Sequence, residues 1–436
     1  MGSPATVFDK KSVALTILSF APPMLAYSVM GALFSVADRW VLGRSGRAED
    51  LSALTLATPA TMLLFGAVSA CACGTAVRMS LHLGEKNVAL CRRACISGMY
   101  AGTVLPGAVA MLLALTAGAY LPLLSQAREL TDPAAEYIRI CALSAPAYGL
   151  GSVLSRALLA DGMPWKCFLA TFLSLCGKIA CDLLWIPETG LQGAAYATVV
   201  SQILLAACGL IFSPGKSPSS IRFHELLRFD IKETSFILRA GLSQGVQQIC
   251  CAGAYVAAAF AGRGDDHGAL ADLGGVIAAA NLYSMPTAGF NQGAAPLTGY
   301  SAGAGRGDRM RACVGWTLLF SFAATLIPWA LTLAFPKQAA DIFAVRPDAL
   351  KKYVSLIPLF AVSGTASNFF LAIERPLQAA ILTSARQAVF LIPLLLTLSR
   401  IGDGRMTFWA GAANDLASCL ISAALLIPAL KESRRK

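Results

Sequence analysis

Three ionisable residues lie in stretches that are otherwise apolar enough to cross a membrane: Asp38, Lys178 and Asp182. A charge at the centre of a bilayer costs about 2.5 to 3.5 kcal/mol on insertion scales, so such residues are expected to have a partner and a function. Lys178 and Asp182 are four residues apart, which places them on one face of a helix. Asp38 closes the first apolar run. We therefore expect the three side chains to meet in a cavity walled by the first six helices.

Two kinds of chemistry suit such a cluster. Burial favours the neutral form of a carboxyl group and a nearby cation favours the ionised form, so a small rearrangement can load or release a proton. Protonation can then be coupled to a change of shape. The alternative is a structural ion pair between Lys178 and Asp182, because buried pairs also specify packing. Both interpretations are open from these residues alone.

The elements that position this cluster are membrane-spanning helices. Of the 436 residues, 56% are hydrophobic and 14% are charged, whereas soluble domains carry roughly 25% charged residues. Uncharged runs reach the ~20 residues that a spanning helix needs at 12–37, 51–77, 96–127, 189–215, 240–262, 273–305, 312–336 and 353–373. Four further spans contain internal charges, at 134–159, 167–186, 376–398 and 406–430. The sequence thus predicts an all-α integral membrane protein of twelve helices, whose first helix is a signal anchor and not a cleaved signal peptide.

The chain is predicted to consist of two six-helix lobes, 1–212 and 234–436, joined by a cytoplasmic linker at 213–233 that contains an amphipathic stretch, 221–229. Leu159, Ala160 and Pro164 recur as Leu371, Ala372 and Pro376 at a constant offset, which indicates a weak internal repeat. A repeat that keeps its direction needs an even number of spans per half. The halves would then be pseudo-symmetric and enclose a cavity.

The distribution of charge predicts orientation and excludes several functions. Most of the 35 Lys and Arg residues fall in segments that are cytoplasmic if the N-terminus is inside, so both termini are expected there. The net charge of +11 then reflects topology and contact with anionic lipid, not nucleic acid. The glycine-rich stretch 301–307 lacks the Lys-Ser/Thr ending of a nucleotide site. With three histidines and no catalytic or metal-ligand pattern, we expect no enzyme activity, cofactor or metal site.

Other residues are candidates for supporting roles. Pro22 and Pro23 remove backbone hydrogen bonds from the first helix and predict a bend there, at which the helix can straighten or kink. A static kink that only serves packing is an equal alternative. Polar residues within the spans are candidates for lining the cavity: Tyr27, Gln202, Gln244, Gln247, Gln248, Asn281 and Gln292.

Over nearly its whole length the chain resembles the multidrug and toxic compound extrusion (MATE) family. Asp38 followed by Gly43 and Gly46 is similar to the family's Asp-x-x-x-x-Gly-x-x-Gly signature. Stretches 158–164, 190–198 and 289–300 also resemble the family in residues and spacing. Near the C-terminus the similarity is to DinF-like and MepA-like members, through Arg386, Gln387, Pro393, Trp409 and Asp415.

The resemblance implies a transporter with the MATE fold that exports small organic molecules, often cationic and amphipathic, in exchange for H+ or Na+ by alternating access. It implies a bacterial cytoplasmic (inner) membrane location and no cofactor. In the H+-linked branch the site would map onto Asp38, Asp182 and Thr198, and Tyr137 would line the same pocket. We expect a monomer whose partners are small organic substrates and membrane lipids.

One residue departs from the family pattern, because Lys178 stands where the family usually has Asn. An ammonium between Asp38 and Asp182 would keep both carboxylates ionised and weaken the uptake of H+ or Na+. The acidic residue of Na+-linked relatives on helix seven is also absent, since Gln244, Gln247 and Gln248 supply only neutral polarity. We hypothesise that Lys178 is a tethered cation, which leaves when a carboxylate is protonated or when a cationic substrate competes.

Two other functions compete with export. A lipid-linked oligosaccharide or lipid flippase of the same superfamily would share the fold and could use a cavity lysine or arginine. A membrane-embedded enzyme or a channel would need a catalytic constellation or a filter motif, and neither is found in the sequence.

Overall fold

The computed structural model describes residues 8–9, 12–44, 48–124, 127–213, 229–261, 267–343, 345–401 and 408–432. Within these ranges the regular structure is helical and includes no strand. Apart from Phe229, the predicted amphipathic stretch 221–229 lies outside the described residues.

The predicted spans are occupied by helices, which are long in the first half of the chain and partly divided into shorter helices in the second. In the first half of the chain they are α1 (Val13–Arg44), α2 (Ala48–Gly84), α3 (Val88–Leu124), α4 (Arg128–Ala160), α5 (Pro164–Thr189) and α6 (Leu191–Phe212). In the second half they are α7 (Ile231–Ala261), α8 (His267–Gly303), α9 (Gly307–Ala334), α10 (Pro336–Ile342), α11 (Pro347–Val354), α12 (Phe360–Ala372), α13 (Pro376–Ser384), α14 (Ile392–Ile401) and α15 (Ala410–Glu432).

Ten segments of the described chain are long and apolar enough to cross a membrane. Two of these are composite, since Pro347–Ala372 contains α11 and α12, and Pro376–Leu395 contains α13 and the start of α14. Helices α7 and α8 have 31 and 37 residues, or roughly 45 and 55 Å at 1.5 Å per residue. Together these segments correspond to the twelve predicted spans.

Several boundaries differ from the prediction. Helix α7 begins at Ile231, inside the stretch assigned to the linker, and the short α10 was not expected. The tenth span breaks into two helices at a 3₁₀ turn that contains Pro358, which has no backbone N–H to donate. The eleventh span contains a π-helical turn, Ala385–Leu391. The helices extend past the apolar runs because their charged ends continue beyond the hydrocarbon region.

The helices form two compact units. Unit 1 comprises Met1–Lys10 and Val29–Gln248, and unit 2 comprises Lys11–Ser28 and Ile249–Lys436, each over the described residues. The boundaries therefore fall within α1 and within α7, not at the linker. The division of the sequence into lobes 1–212 and 234–436, which is based on the internal repeat, stays a prediction.

The same backbone turn occurs twice in each unit. Lys86 and Gly162 in unit 1 and Gly305 and Glu374 in unit 2 have φ values of 59°, 79°, 65° and 55°. In each turn this residue donates its N–H to the carbonyl three residues back, and the next residue donates to the carbonyl five back. That pattern is the Schellman motif, which closes a helix C-terminus. Gly162 and Glu374 are separated by the same number of residues as the repeated Leu159 and Leu371. The backbone conformation therefore shows the internal repeat that the residue types show only weakly.

Small residues let the helices of unit 1 approach closely. A Cβ on Gly149 of α4 would lie 1.6 Å from the carbonyl oxygen of Gly102 on α3. A Cβ on Gly241 of α7 would lie 1.8 Å from the carbonyl oxygen of Ala70 on α2. Within a membrane, association depends on such close packing because lipid tails are as apolar as the side chains.

An ion network fixes the start of α7 to the end of α2. Arg78 donates from Nε and a terminal nitrogen to the two carboxylate oxygens of Glu233, at 2.8 and 3.0 Å. The ring of His82 lies between Glu233, at 3.3 Å, and Glu85, at 2.9 Å. Two-point contacts between a guanidinium and a carboxylate set geometry as well as energy. The network explains why the helix starts at Ile231 instead of at the predicted apolar run.

Replacing Gly149 by Ala tests the close packing of unit 1. Because the new Cβ would meet backbone, α3 and α4 must separate, at a cost of about 1 to 3 kcal/mol. We expect a lower melting temperature for the purified Gly149→Ala protein in detergent. Gly118→Ala is the matched control, since Gly118 on α3 has open space around it. Equal melting temperatures for the two variants would contradict the packing described here.

Candidate functional site

Three helices of unit 1 bring together the ionic cluster that the sequence singled out. Asp38 comes from α1, Lys178 and Asp182 come from α5, and Thr198 comes from α6. Lys178 and Asp182 are completely buried, and Asp38 and Thr198 are each 7% exposed. The four side chains form a single buried group, which we call the ammonium cluster.

The ammonium of Lys178 is the centre of the cluster. Its Nζ donates to Oδ1 of Asp38, to Oδ1 of Asp182 at 3.4 Å and to Oγ1 of Thr198 at 3.2 Å. A lysine ammonium has three donors, and each of the three neighbours takes one of them. The charge is therefore fully paired and hydrogen-bonded, as burial requires.

Local helix geometry explains how these atoms meet. Lys178 and Asp182 are neighbours on one face of α5 because they are four residues apart. Thr198 donates its hydroxyl to the carbonyl of Ala194 in its own helix, at 2.9 Å, so its oxygen is turned to accept from Lys178. The ring of Phe34 lies 5.2 Å from the ammonium, close enough for a cation–π contact.

Two further candidates adjoin the cluster. Tyr137 on α4 is 5% exposed, and its hydroxyl interacts with the side chains of Thr198 and Cys141. Gln202 is one turn beyond Thr198 on α6 and accepts a hydrogen bond of 2.5 Å from the hydroxyl of Ser144. Buried polar side chains thus continue from the cluster to Tyr137 on α4 and to Gln202 on α6.

The other candidate residues are distributed over both units. Gln244, Gln247 and Gln248 are half-buried on α7 and belong to unit 1. Those in unit 2 are Tyr27, Asn281 and Gln292, and Gln292 donates to the hydroxyl of Ser28 at 3.5 Å. Pro22 and Pro23 lie inside α1, which continues as a helix through them. The bend at these prolines stays a prediction.

The ammonium cluster carries one excess negative charge when all of its groups are ionised. Two carboxylates and one ammonium sum to −1. In a low-dielectric interior such an excess strongly favours a compensating positive charge. The cluster is therefore suited to take up one proton or one monovalent cation.

A second buried ion pair was not singled out as a site from the sequence. In unit 2, a terminal nitrogen of Arg386 lies 3.2 Å from Oδ1 of Asp415, with the two side chains 22% and 5% exposed. Both residues were noted only as part of a family resemblance. The signal that could have found them is an arginine and an aspartate inside two apolar spans, which is the criterion that selected Asp38 and Lys178.

A comparison with protein families decides the kind of protein. The model of the MatE family matches residues 23–182 and 251–398, which together exceed half of the chain. The chain belongs to the MatE family. The ammonium cluster lies on α1, α5 and α6, and the first matched segment ends at Asp182.

The curated proteins that the chain matches are named multidrug export proteins. The chain is 24% identical over 213 residues to the "Multidrug export protein MepA" of Staphylococcus saprophyticus, covering 48% of this chain and 47% of the relative. It is 24% identical over 208 residues to the protein of the same name from Staphylococcus aureus, covering 47% and 46%. The chain thus spans about half the length of the curated relatives it matches.

Solved MATE structures show the same fold. One, described as an outward-facing conformation of a multidrug resistance MATE family transporter of the MOP superfamily, matches with a TM-score of 0.90 at 17% identity and full coverage of both chains. Another, from Pyrococcus furiosus, is described as having a binding pocket of reverse polarity that suggests a different function, and matches with a TM-score of 0.92 at 17% identity. The predicted all-α twelve-helix MATE fold is confirmed.

Removing the ammonium tests the electrostatics of the cluster. In Lys178→Gln two buried carboxylates face each other without a cation, which should cost on the order of 3 to 5 kcal/mol of unfolding free energy. The folded variant binds a proton more readily than the unfolded chain, so its stability should increase as the pH is lowered from about 8 to about 5. Denaturation of the purified protein at several pH values measures both effects.

Lys166→Gln provides the control for this experiment. Lys166 is on the same helix but donates to the backbone carbonyl of Phe212, at 3.2 Å, away from any carboxylate of the cluster. This variant should show neither the loss nor the pH-dependent recovery. A Lys178→Gln protein that matched the unsubstituted protein at every pH would rule out the pairing.

Proposed function

We propose that this MATE protein is a secondary active antiporter that exports small organic molecules in exchange for H+ by alternating access. The preferred substrates are cationic and amphipathic, and the protein acts as a monomer in the bacterial cytoplasmic membrane with both termini in the cytoplasm. The observation that carries the proposal is the buried ammonium cluster of Asp38, Lys178, Asp182 and Thr198.

The excess charge of the cluster supports antiport. Because its net charge is −1, the cluster can be neutralised by one proton or by one monovalent cation, and adding both leaves an unpaired positive charge in the membrane interior. An unpaired buried charge is strongly unfavourable. Antiport needs this mutual exclusion, because binding of the proton must release the cationic substrate and binding of the substrate must release the proton.

The position of Lys178 favours H+ over Na+ as the coupling ion. A sodium ion needs several oxygen ligands at once, and Oδ1 of Asp38, Oδ1 of Asp182 and the hydroxyl oxygen of Thr198 already accept from the ammonium. A proton needs only one carboxylate oxygen. Protonation of Asp38 or Asp182 weakens the hold on Lys178, which is how a tethered cation would transmit the binding event to α5.

Both the relatives and the chemistry support cationic substrates. The curated relatives are named multidrug export proteins, and an acidic group beside an aromatic ring suits an organic cation. A lipid or oligosaccharide flippase of the same superfamily remains the alternative. Expression that protects cells against cationic dyes separates the two, because a flippase dedicated to lipid-linked substrates would give no protection.

The charge balance predicts an electroneutral exchange. If one H+ is exchanged for one monovalent cation, no net charge crosses the membrane. In proteoliposomes, export of a monovalent dye should follow an imposed pH gradient, ignore an imposed Na+ gradient and respond little to a potassium diffusion potential. Transport that follows the Na+ gradient instead would overturn the assignment of the coupling ion.

Charge variants sharpen this test. In Lys178→Asn the net charge of the cluster becomes −2, so more than one proton can be exchanged per dye and transport should become sensitive to the membrane potential. In Asp182→Asn the cluster is already neutral, and exchange driven by the pH gradient should be lost. Lys166→Asn keeps the cluster intact and should behave like the unsubstituted protein. Unchanged pH dependence and dye affinity in Lys178→Asn would refute the role of the tethered cation.

A further inference from the structure

We propose that unit 2 contains a separate binding site in which Arg386 binds the carboxylate of a small organic ligand. The inference rests on the proposed function only in taking the ligand to be a small organic molecule. The site is formed by unit 2 alone and shares no residue with the ammonium cluster.

Arg386 has more donors than its partners use. A guanidinium carries five N–H donors, and Arg386 makes one hydrogen bond to Oδ1 of Asp415, at 3.2 Å. Its Nε is buried and has no hydrogen-bond partner among the described residues. A buried donor without a partner is costly, so the guanidinium keeps hydrogen-bonding capacity that an oxyanion could use.

The orientation of the guanidinium is fixed. Its central carbon lies 4.1 Å from the ring centroid of Phe360, which holds one face of the group. Arg386 is in the π-helical turn Ala385–Leu391, and such turns are frequent at functional sites because they re-aim a side chain. A planar donor group with one face covered and unused donors has the geometry that recognises a carboxylate.

Arg386 and Asp415 line a small cavity of about 70 Å³. The lining is partly apolar and also includes four neutral residues that can form hydrogen bonds, Asn281, Ser284, Gln387 and Asn414. Several water molecules fit in such a volume, and so does a carboxylate group. Gly411 borders the cavity, and a Cβ there would lie 2.6 Å from the carbonyl oxygen of Tyr353. The small residue thus brings α15 close and keeps this wall free of a side chain.

The charges of the pair define the ligand. Asp415 neutralises Arg386, so the site as a whole has no excess charge with which to attract a cation. The unused donors of Arg386 and the NH2 groups of the neighbouring amides can donate to an anion. Because Asp415 and the ligand carboxylate compete for the same guanidinium, removal of the charge on Asp415 should strengthen binding.

A matched pair of dyes tests the proposal. One is a xanthene dye with a free aromatic carboxylate, and the other is the methyl ester of the same dye. Fluorescence anisotropy measures the equilibrium binding of each to the purified full-length protein in detergent. We expect the acid to lose about tenfold or more in affinity in Arg386→Gln, as for loss of a charge-assisted hydrogen bond, while the ester is unaffected.

Further variants separate binding from a structural role. Asp415→Asn should increase the affinity for the acid and leave the ester unchanged, an outcome that loss of structure would not produce. Arg386→Lys keeps the charge without the planar fork and should bind the acid with intermediate affinity. Arg375→Gln is the matched control, because Arg375 forms an exposed pair with Glu432 in the same unit, at 3.1 Å. It should leave both affinities unchanged.

The outcomes distinguish this site from the ammonium cluster. If the proposed function is right, Asp182→Asn weakens both dyes alike and preserves the ratio of acid to ester affinity. The inference is overturned if Arg386→Gln preserves that ratio, or if Asp415→Asn weakens the acid. Should Arg386→Gln fail to fold, Asp415→Asn and Arg386→Lys still decide the matter.

Discussion

A fully paired ammonium inside the membrane is the constraint on which the first unit depends. Lys178 is completely buried, and three helices must each place an oxygen within reach of one nitrogen. No alternative partner is available in hydrocarbon, so the positions of α1, α5 and α6 are specified together. In the proposed function the same cluster acts as a switch, because neutralising one carboxylate weakens its attraction for the lysine. Structure and proposed transport thus rest on one set of contacts.

The surrounding helices meet this constraint through small residues and closed termini. Gly149 lets α4 reach α3, and Gly241 lets α7 reach α2, with backbone contacts that any side chain would prevent. Schellman turns satisfy the carbonyls at the ends of α2, α4, α8 and α12. Close packing and satisfied backbone groups are what a lipid environment demands, since water is not there to compensate for either. These features hold the helices that carry the cluster.

Buried charged side chains are paired differently in the two units. Unit 1 combines one cation with two carboxylates and has a net charge of −1, whereas unit 2 pairs Arg386 with Asp415 and has none. The first is suited to exchange a proton for a cation, and the second to offer unused donors to an oxyanion. The repeat seen in the turns therefore carries different chemistry in its two copies.

By itself, the sequence determined the membrane class, the twelve spans and the family resemblance, because hydrophobic length and the cost of buried charge act locally along the chain. The same argument selected Asp38, Lys178 and Asp182. The spacing of Lys178 and Asp182 already implied contact, but nothing local showed that Asp38 and Thr198 would reach the same nitrogen. Only the tertiary structure decided that, together with the pairing of Arg386 with Asp415, the π turn and the boundaries of the units within α1 and α7. These features depend on which helix faces pack together, and packing in a membrane is set by long-range contacts that hydropathy does not encode.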